Sequence, residues 1–475
     1  MMEINKQSPS TTAPQPRVRN YQEIVDYLDK HWFVNHTSKT LDRVKQLDAA
    51  LGNPSSKINA VVIAGTNGKS LTAYLAAKLL TTEGLKVGSF TSPHILTYNE
   101  RITTSLETIS NKAFTEIGNE VINMAESLQL QAYSHELLTM MAVLYFVDQK
   151  VDVALLEVQK GGAYDAVNIC NALVASITRV TPANIHTAAE DLMPLVHESM
   201  GVVKPGTFIV SGDQSKNNLQ KMQELTNLQG GHWAMPIRKL APLNYPYEQL
   251  HGRCAALAER VAQMFIEEYY NKDATITRDS LLSKQKGKRG RPTLDDKRKA
   301  DLDKKKTIDQ YWKAETCDLP GHFESLTNEK PTILLDTASN IDAFDNILLG
   351  IRLLQYQRPL KGLFIIMAAA KDTMHNEEFL KLLRYFFKKT SGQMLLCPIE
   401  SALPGVNEEE SWDVEKVTND IKSMKVKARA CKSFEEALDI AKKSISDERN
   451  GLIVITGSHS IVNTYWKHKG IKKLS

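Results

Sequence analysis

Cysteine is scarce and irregularly spaced. Cys170, Cys254, Cys317, Cys397 and Cys431 stand apart, with no pair at the separation of a zinc ligand set or a compact disulfide framework. A reducing cytoplasm is the simplest setting for such a chain. Long apolar runs are missing too. None reaches the length of a membrane span, and the Pro-rich first 17 residues lack the apolar centre of a leader peptide, which predicts a loose tail over residues 1–20. A general excess of one charge is also absent. Residues 284–306 hold eleven Lys or Arg against four Asp, more than the whole net charge of +4, so the remainder is net acidic and no broad polyanion-binding surface is expected. No internal repeat is seen. What is present is ordinary for a globular chain: 475 residues, 42% apolar and 24% charged, enough for two or three domains with substantial cores.

Against that background one segment stands out. The apolar run Val61-Val62-Ile63-Ala64 enters a turn, Gly65-Thr66-Asn67-Gly68, then Lys69-Ser70-Leu71-Thr72 and a helical pattern. Strand, glycine turn, lysine and helix make a phosphate loop. The glycines let backbone N–H groups converge on an anion, Lys69 supplies a compact positive charge, and the helix N-terminus adds about half a charge at the same point. The Gly-x-x-Gly-Lys spacing is shorter than the general phosphate-loop pattern, and the plainer alternative is a glycine turn joining strand to helix.

Strand-like and helical stretches alternate on both sides of the basic segment. Strands are expected at 61–64, 87–90, 151–156, 172–177 and 207–210, with helices at 72–82, 111–127 and 137–148 and a long helix at 250–270. After the basic segment come strands at 332–335, 363–367, 394–397 and 452–455, with helices at 341–354, 377–388 and 434–443. The pattern predicts two α/β domains with mostly parallel sheets, divided as tail 1–20, central domain 21–283, basic insertion 284–315 and a smaller Rossmann-like domain 316–475. Ligands of such sheets sit beyond the carboxyl ends of the strands.

Several segments carry the reading further. After the phosphate loop come Thr91-Ser92-Pro93-His94-Ile95, Asn99-Glu100-Arg101-Ile102, Leu156-Glu157-Val158, Gly161-Gly162 and Asp165-Ala166-Val167-Asn168. They are followed by Pro320-Gly321-His322-Phe323-Glu324, Asp336-Thr337-Ala338-Ser339-Asn340, Lys371-Asp372 and Ile453-Val454-Ile455-Thr456-Gly457-Ser458. In this order and spacing the chain resembles the folylpolyglutamate synthase/dihydrofolate synthase family of the Mur ligase superfamily, over roughly residues 21–466. The resemblance implies an ATP- and Mg2+-dependent amide ligase. A pteroate or folate carboxylate, a poor electrophile, is phosphorylated by ATP, and the amine of glutamate then displaces phosphate. Lys69 falls on the catalytic lysine, Gly65, Thr66, Asn67, Gly68, Ser70 and Asp336 on nucleotide-binding positions, and Ser92 and Glu157 on magnesium ligands, hard oxygen donors suited to that ion. Small-molecule substrates, a cytoplasmic monomer and no membrane association follow from the same resemblance.

The departures from the family pattern cluster on chemistry. The loop reads Gly68-Lys69-Ser70-Leu71-Thr72 where the family has Gly-Lys-Gly-Ser-Thr, and Ser70 is the candidate replacement hydroxyl. The family's Asp-His and Glu-Lys pairs become Ala183-Asn184 and Glu198-Ser199, so an imidazole ligand and a carbamate-forming lysine are lost. Gly-Gly-Arg becomes Gly161-Gly162-Ala163, and His-Gln-x-x-Asn becomes Leu250-His251-Gly252-Arg253-Cys254. Pro-Gly-Arg ends in His322, and the histidine of Asp-Gly-Ala-His-Asn is Ser339. Arginine to histidine removes a permanent, fork-shaped phosphate grip. Slow ligase chemistry is therefore expected, and a degenerate ATP-binding pseudo-ligase is the alternative. A third reading concerns Arg289-Gly290-Arg291-Pro292, the core that AT-hook peptides lay into A·T-rich minor grooves, for which a solvated charged loop is the plainer account.

Overall fold

The structure, a computed structural model, describes residues 16–32, 37–187, 191–270, 281–282, 307–400 and 410–474. The basic segment 284–306 with its Arg-Gly-Arg-Pro core lies outside the described residues, as does most of the tail.

Residues 60–64 are all buried, and so is the run 153–157, apolar up to its last residue, Glu157: strands of the kind found in sheets covered on both faces. They belong to an eight-stranded sheet built from β1 (Ala60–Ala64), β2 (Val87–Phe90), β3 (Ile102–Thr104), β4 (Glu107–Thr108), β5 (Val153–Glu157), β6 (Ala172–Ile177), β7 (Phe208–Ser211) and β8 (His232–Trp233). The order is β4-β3-β2-β5-β1-β6-β7-β8. Only the β2–β3 and β3–β4 pairings are antiparallel, so β3 alone runs against the other strands. Successive side chains point to opposite faces. Val61, Ile63, Val153 and Leu155 pack beneath the helices Lys69–Thr82 and Tyr247–Phe265. Val62, Ala64, Ala154 and Leu156 pack against Asn111–Ser127 and Ser134–Asp148.

A second, six-stranded sheet follows: β9 (Glu324–Leu326), β10 (Thr332–Leu335), β11 (Leu363–Met367), β12 (Gln393–Leu396), β13 (Ala428–Ala430) and β14 (Leu452–Thr456), in the order β13-β12-β11-β14-β10-β9. It is parallel apart from β9. The helices Ile341–Gln357 and Glu377–Lys389 cover one face, and Phe434–Ser444 and His459–His468 the other.

Differences from the sequence reading are local. The fifth strand begins at Val153 rather than 151, because Asp152 is spent at the strand entry: its carboxylate accepts the Lys86 N–H (2.7 Å) and its carbonyl the Asn59 amide (3.0 Å). The shift leaves Glu157 as the last residue of β5, at its carboxyl end. The helix expected from 250 to 270 starts at Tyr247 and finishes as a π-helical turn, Ile266–Tyr270. The edge strands β4, β8, β9 and β13, and β3 next to an edge, are two or three residues each and carry too little pattern to be read from sequence. Among the described residues no helix is long and apolar enough to cross a membrane.

Candidate active site

The two sheets turn the carboxyl ends of their central strands toward one another. The loops after β1, β5, β6 and β7 of the larger sheet, and after β10, β11 and β14 of the smaller, line one cleft of about 890 Å³. Within it lie all the residues singled out from sequence: Gly65, Thr66, Asn67, Gly68, Lys69, Ser70, Ser92, Glu157 and Asp336.

The phosphate loop leaves β1 at Ala64. Gly65 and Gly68 have φ of +118° and +86°, the left-handed region that disfavours side chains, and a Cβ on Gly65 would stand 2.4 Å from the Thr178 hydroxyl. Gly68 occupies the cap position of the helix Lys69–Thr82, whose positive end therefore faces the loop. The Lys69 ammonium folds over the loop and donates to the carbonyls of Gly65 and Thr66, both at 3.1 Å. Burial draws its pKa down, while the charges of Glu157 and Asp165 oppose this. Leu71, 3% exposed, turns into the core, and the hydroxyl that reaches the site is that of Ser70.

Glu157 is 2% exposed. Its two oxygens accept the Ser70 hydroxyl (3.0 Å) and the Ser92 N–H (3.1 Å). Burial nevertheless pushes its pKa up to about 7, against the pull of Lys69 and those hydrogen bonds. A carboxylate so enclosed lacks sufficient positive charge of its own. Among the described residues no cluster of three His, Cys, Asp or Glu assembles a metal cage. One carboxylate with neighbouring hydroxyls, beside a phosphate loop, suits Mg2+, which keeps waters and shares its shell with phosphate oxygens. The donor set fits that ion.

Across the cleft, both oxygens of Asp336 are held by backbone N–H groups, of Phe323 and Ala338, each at 2.8 Å. Burial pushes its carboxyl up to about 7. Asn340 caps the helix Ile341–Gln357 and meets Asn67 of the phosphate loop. Asp342, one turn in, takes a second hydrogen bond from Asn67 (2.8 Å) and an ion pair from Arg179 (2.8 Å). His322 gives the Pro320 carbonyl a 2.9 Å contact through Nδ1, and burial lowers its pKa. Burial also takes His251 and His459 down to about 3, so the three imidazoles that line the cleft are neutral near pH 7.

The substituted positions divide. Asn184, Ser199, His322 and Ser339 line the cleft, but Ala163 does not; it packs against Gly201 and donates its N–H to the Glu198 carbonyl (2.9 Å). The Asn184 carbonyl oxygen is spent within its own turn on the N–H groups of His186 (3.1 Å) and Thr187 (3.2 Å). Sequence reasoning passed over Arg179, Asp342 and His459, which also line the cleft. Arg179 and His459 each follow closely on a strand's carboxyl end, the one sequence signal that was available for them.

Two α/β units with their strand ends at a shared cleft, the larger carrying a glycine phosphate loop, define a two-domain Mur-ligase fold. The curated relatives and structural neighbours of the chain are folylpolyglutamate/dihydrofolate synthases of that superfamily. The chain is 31% identical over 224 residues to the dihydrofolate synthase/folylpolyglutamate synthase of Bacillus subtilis, covering 46% of this chain and 49% of the relative. With the folylpolyglutamate synthase of Lacticaseibacillus casei it shares 31% identity over 240 residues, 49% of this chain and 55% of the relative. The chain thus spans about half the length of the curated relatives it matches. In three dimensions it superimposes on the Mycobacterium tuberculosis folylpolyglutamate synthase complexed with ADP, with a TM-score of 0.74 at 21% identity over 95% of this chain and 98% of the other, a likeness of fold. No family model matches the chain.

Proposed function

We propose that the chain is an ATP-dependent amide ligase that joins glutamate to dihydropteroate or a reduced folate through an acyl phosphate. The observation that carries this reading is the meeting, in one cleft, of the phosphate loop, Lys69 and Glu157 of one sheet with Asp336 and Asn340 of the other. The related synthases, and the ADP in one structural neighbour, support the substrate class and the nucleotide. In this reading residues 21–283 form the nucleotide-binding unit and residues 316–475 the second unit, with 284–315 between them.

The residues divide the work as follows. The N–H groups of Gly65–Ser70 and the positive helix end cradle the terminal phosphates. Lys69 exchanges its two carbonyl partners for γ-phosphate oxygens and steadies the charge that develops there during transfer. Glu157, Ser92 and Ser70 would hold Mg2+, which supplies further charge neutralisation at the phosphates. The opposing wall, through Asp336 and Asn340, closes the cleft and excludes water from the acyl phosphate.

The test is phosphate release from ATP with dihydropteroate and with tetrahydrofolate, each with and without glutamate. Release that depends on pterin and glutamate together is expected. A purified chain that binds no ATP would overturn the reading.

A further inference from the structure

Two guanidinium groups that the resemblance assigns no role stand beside the phosphate loop. Arg179 is anchored by its backbone: its carbonyl accepts the Thr66 N–H at 2.6 Å, and its side chain is 46% exposed at the cleft. Arg253 lies on the helix Tyr247–Phe265, next to Cys254, whose sulfur would be 2.9 Å from a Cβ placed on Gly68. The two loop flanks, Thr66 and Gly68, are thus each touched by an arginine or its immediate neighbour.

Their counter-charges are unequal. Arg179 pairs with Asp342 at 2.8 Å, and Asp345 also lies within reach of its charge. Arg253 is partly buried, and the hydrogen bond of its guanidinium goes to the Ile237 carbonyl at 3.2 Å. Among the described residues no carboxylate forms an ion pair with it. Burial, and then the charge of Arg179, lowers its pKa. A guanidinium held out of water near a like charge is stabilised by an anion, and the open side of this pair is the cleft.

We propose that Arg179 and Arg253 form a phosphate-binding subsite for the polyphosphate chain of a nucleotide, taking over the charge that Ala163 and His322 no longer supply. The inference rests on the nucleotide-binding reading of the cleft. On this reading permanent positive charge stands at the flanks of the phosphate loop rather than at position 163, after β5, or at position 322, on the opposing wall. Arginine suits the task because its planar fork matches two phosphate oxygens at once.

Titration calorimetry of ATP, ADP and AMP against the unmodified chain, Arg253→Gln, Arg179→Gln and Arg253→Lys tests it, at low and high salt. Each Gln variant should weaken ATP about tenfold at low salt and flatten the salt dependence, with AMP affected least. Arg253→Lys should recover part of the loss, and thermal melting without ligand should be unchanged by the Arg253 variants. ATP affinity unaltered in both Gln variants, with the unmodified chain binding ATP, would overturn the subsite and leave the cleft reading standing. Loss accompanied by a lowered melting temperature and no recovery in Arg253→Lys would make Arg253 structural and also overturn it. An unmodified chain that binds no nucleotide removes both readings together.

Discussion

The side-chain amides of Asn67 and Asn340 are hydrogen-bonded to one another in both directions, at 2.8 and 3.1 Å, and join the phosphate loop to the first turn of a helix in the second sheet. Two polar groups 273 positions apart thereby tie the phosphate loop to the opposing wall of the cleft. Asp342 and Arg179 extend the contact, so nucleotide entry and cleft geometry share residues.

Removing that link should cost stability at the junction rather than within either sheet. Asn67→Ala loses both amide bonds and the contact to Asp342, and a loss of about 2 kcal/mol is expected in urea unfolding. Asn340→Ala loses the same two amide bonds and, in place of the Asp342 contact, the helix cap to the Ala343 N–H (3.0 Å), so a comparable loss of about 2 kcal/mol is expected. A loss in Asn340→Ala well below that in Asn67→Ala would show that the cap contributes nothing beyond the junction.

Lys69→Ala should abolish the ATP binding that calorimetry detects. The ammonium is held within the loop by two carbonyls, and its replacement leaves the phosphate cradle without a point charge. Affinity unchanged by this substitution would mean that the loop no longer takes phosphate.

Stability should fall as pH rises through the range set by Asp336. Its carboxyl, ordinarily near 3.8, is pushed up to about 7 in the folded chain by burial. Between those values the folded state keeps a proton that the unfolded chain has released, so unfolding is favoured as pH climbs and the effect is complete above about 7. Urea midpoints measured from about pH 5 to about pH 7.5 should decline, and less steeply in Asp336→Asn. The same slope in the variant would assign the decline to other groups.

Turnover should be slow. Asn184 and Ser199 stand where the resemblance implies an imidazole ligand and a carbamate-forming lysine, and the Asn184 carbonyl is occupied by its own turn. A deficit of ~3–4 kcal/mol in transition-state stabilisation lowers the rate by a factor on the order of hundreds. Asn184→His with Ser199→Lys should raise glutamate-dependent phosphate release. Robust release by the unmodified chain would show that the substitutions cost little.

Much of the architecture was legible in the residues themselves. The apolar runs at 60–64 and 153–156 are satisfied by strands covered on both faces, and the glycines between strand and helix mark a tight loop able to approach an anion. The spacing of Gly65, Gly68 and Lys69, and the position of Glu157 at a strand end, are local facts, which is why the nucleotide side of the cleft could be named from sequence. That Ser70 and not Leu71 supplies the hydroxyl at the site is of the same kind: helical geometry sends one residue inward and its neighbour outward.

The rest was decided by how the two sheets pack. Nothing in the order of residues brings Asn67 to Asn340, or sets Arg253 and Arg179, 74 positions apart in the chain, on either side of one loop. Nor does sequence tell that Ala163 has left the cleft while Asn184 remains at it with its oxygen turned away. Short-range pattern reports periodicity and turn chemistry, which act over a few residues. Partners across a cleft are selected by tertiary packing and by the need of each enclosed charge and amide for a counterpart, and those choices appear only when the chain is folded.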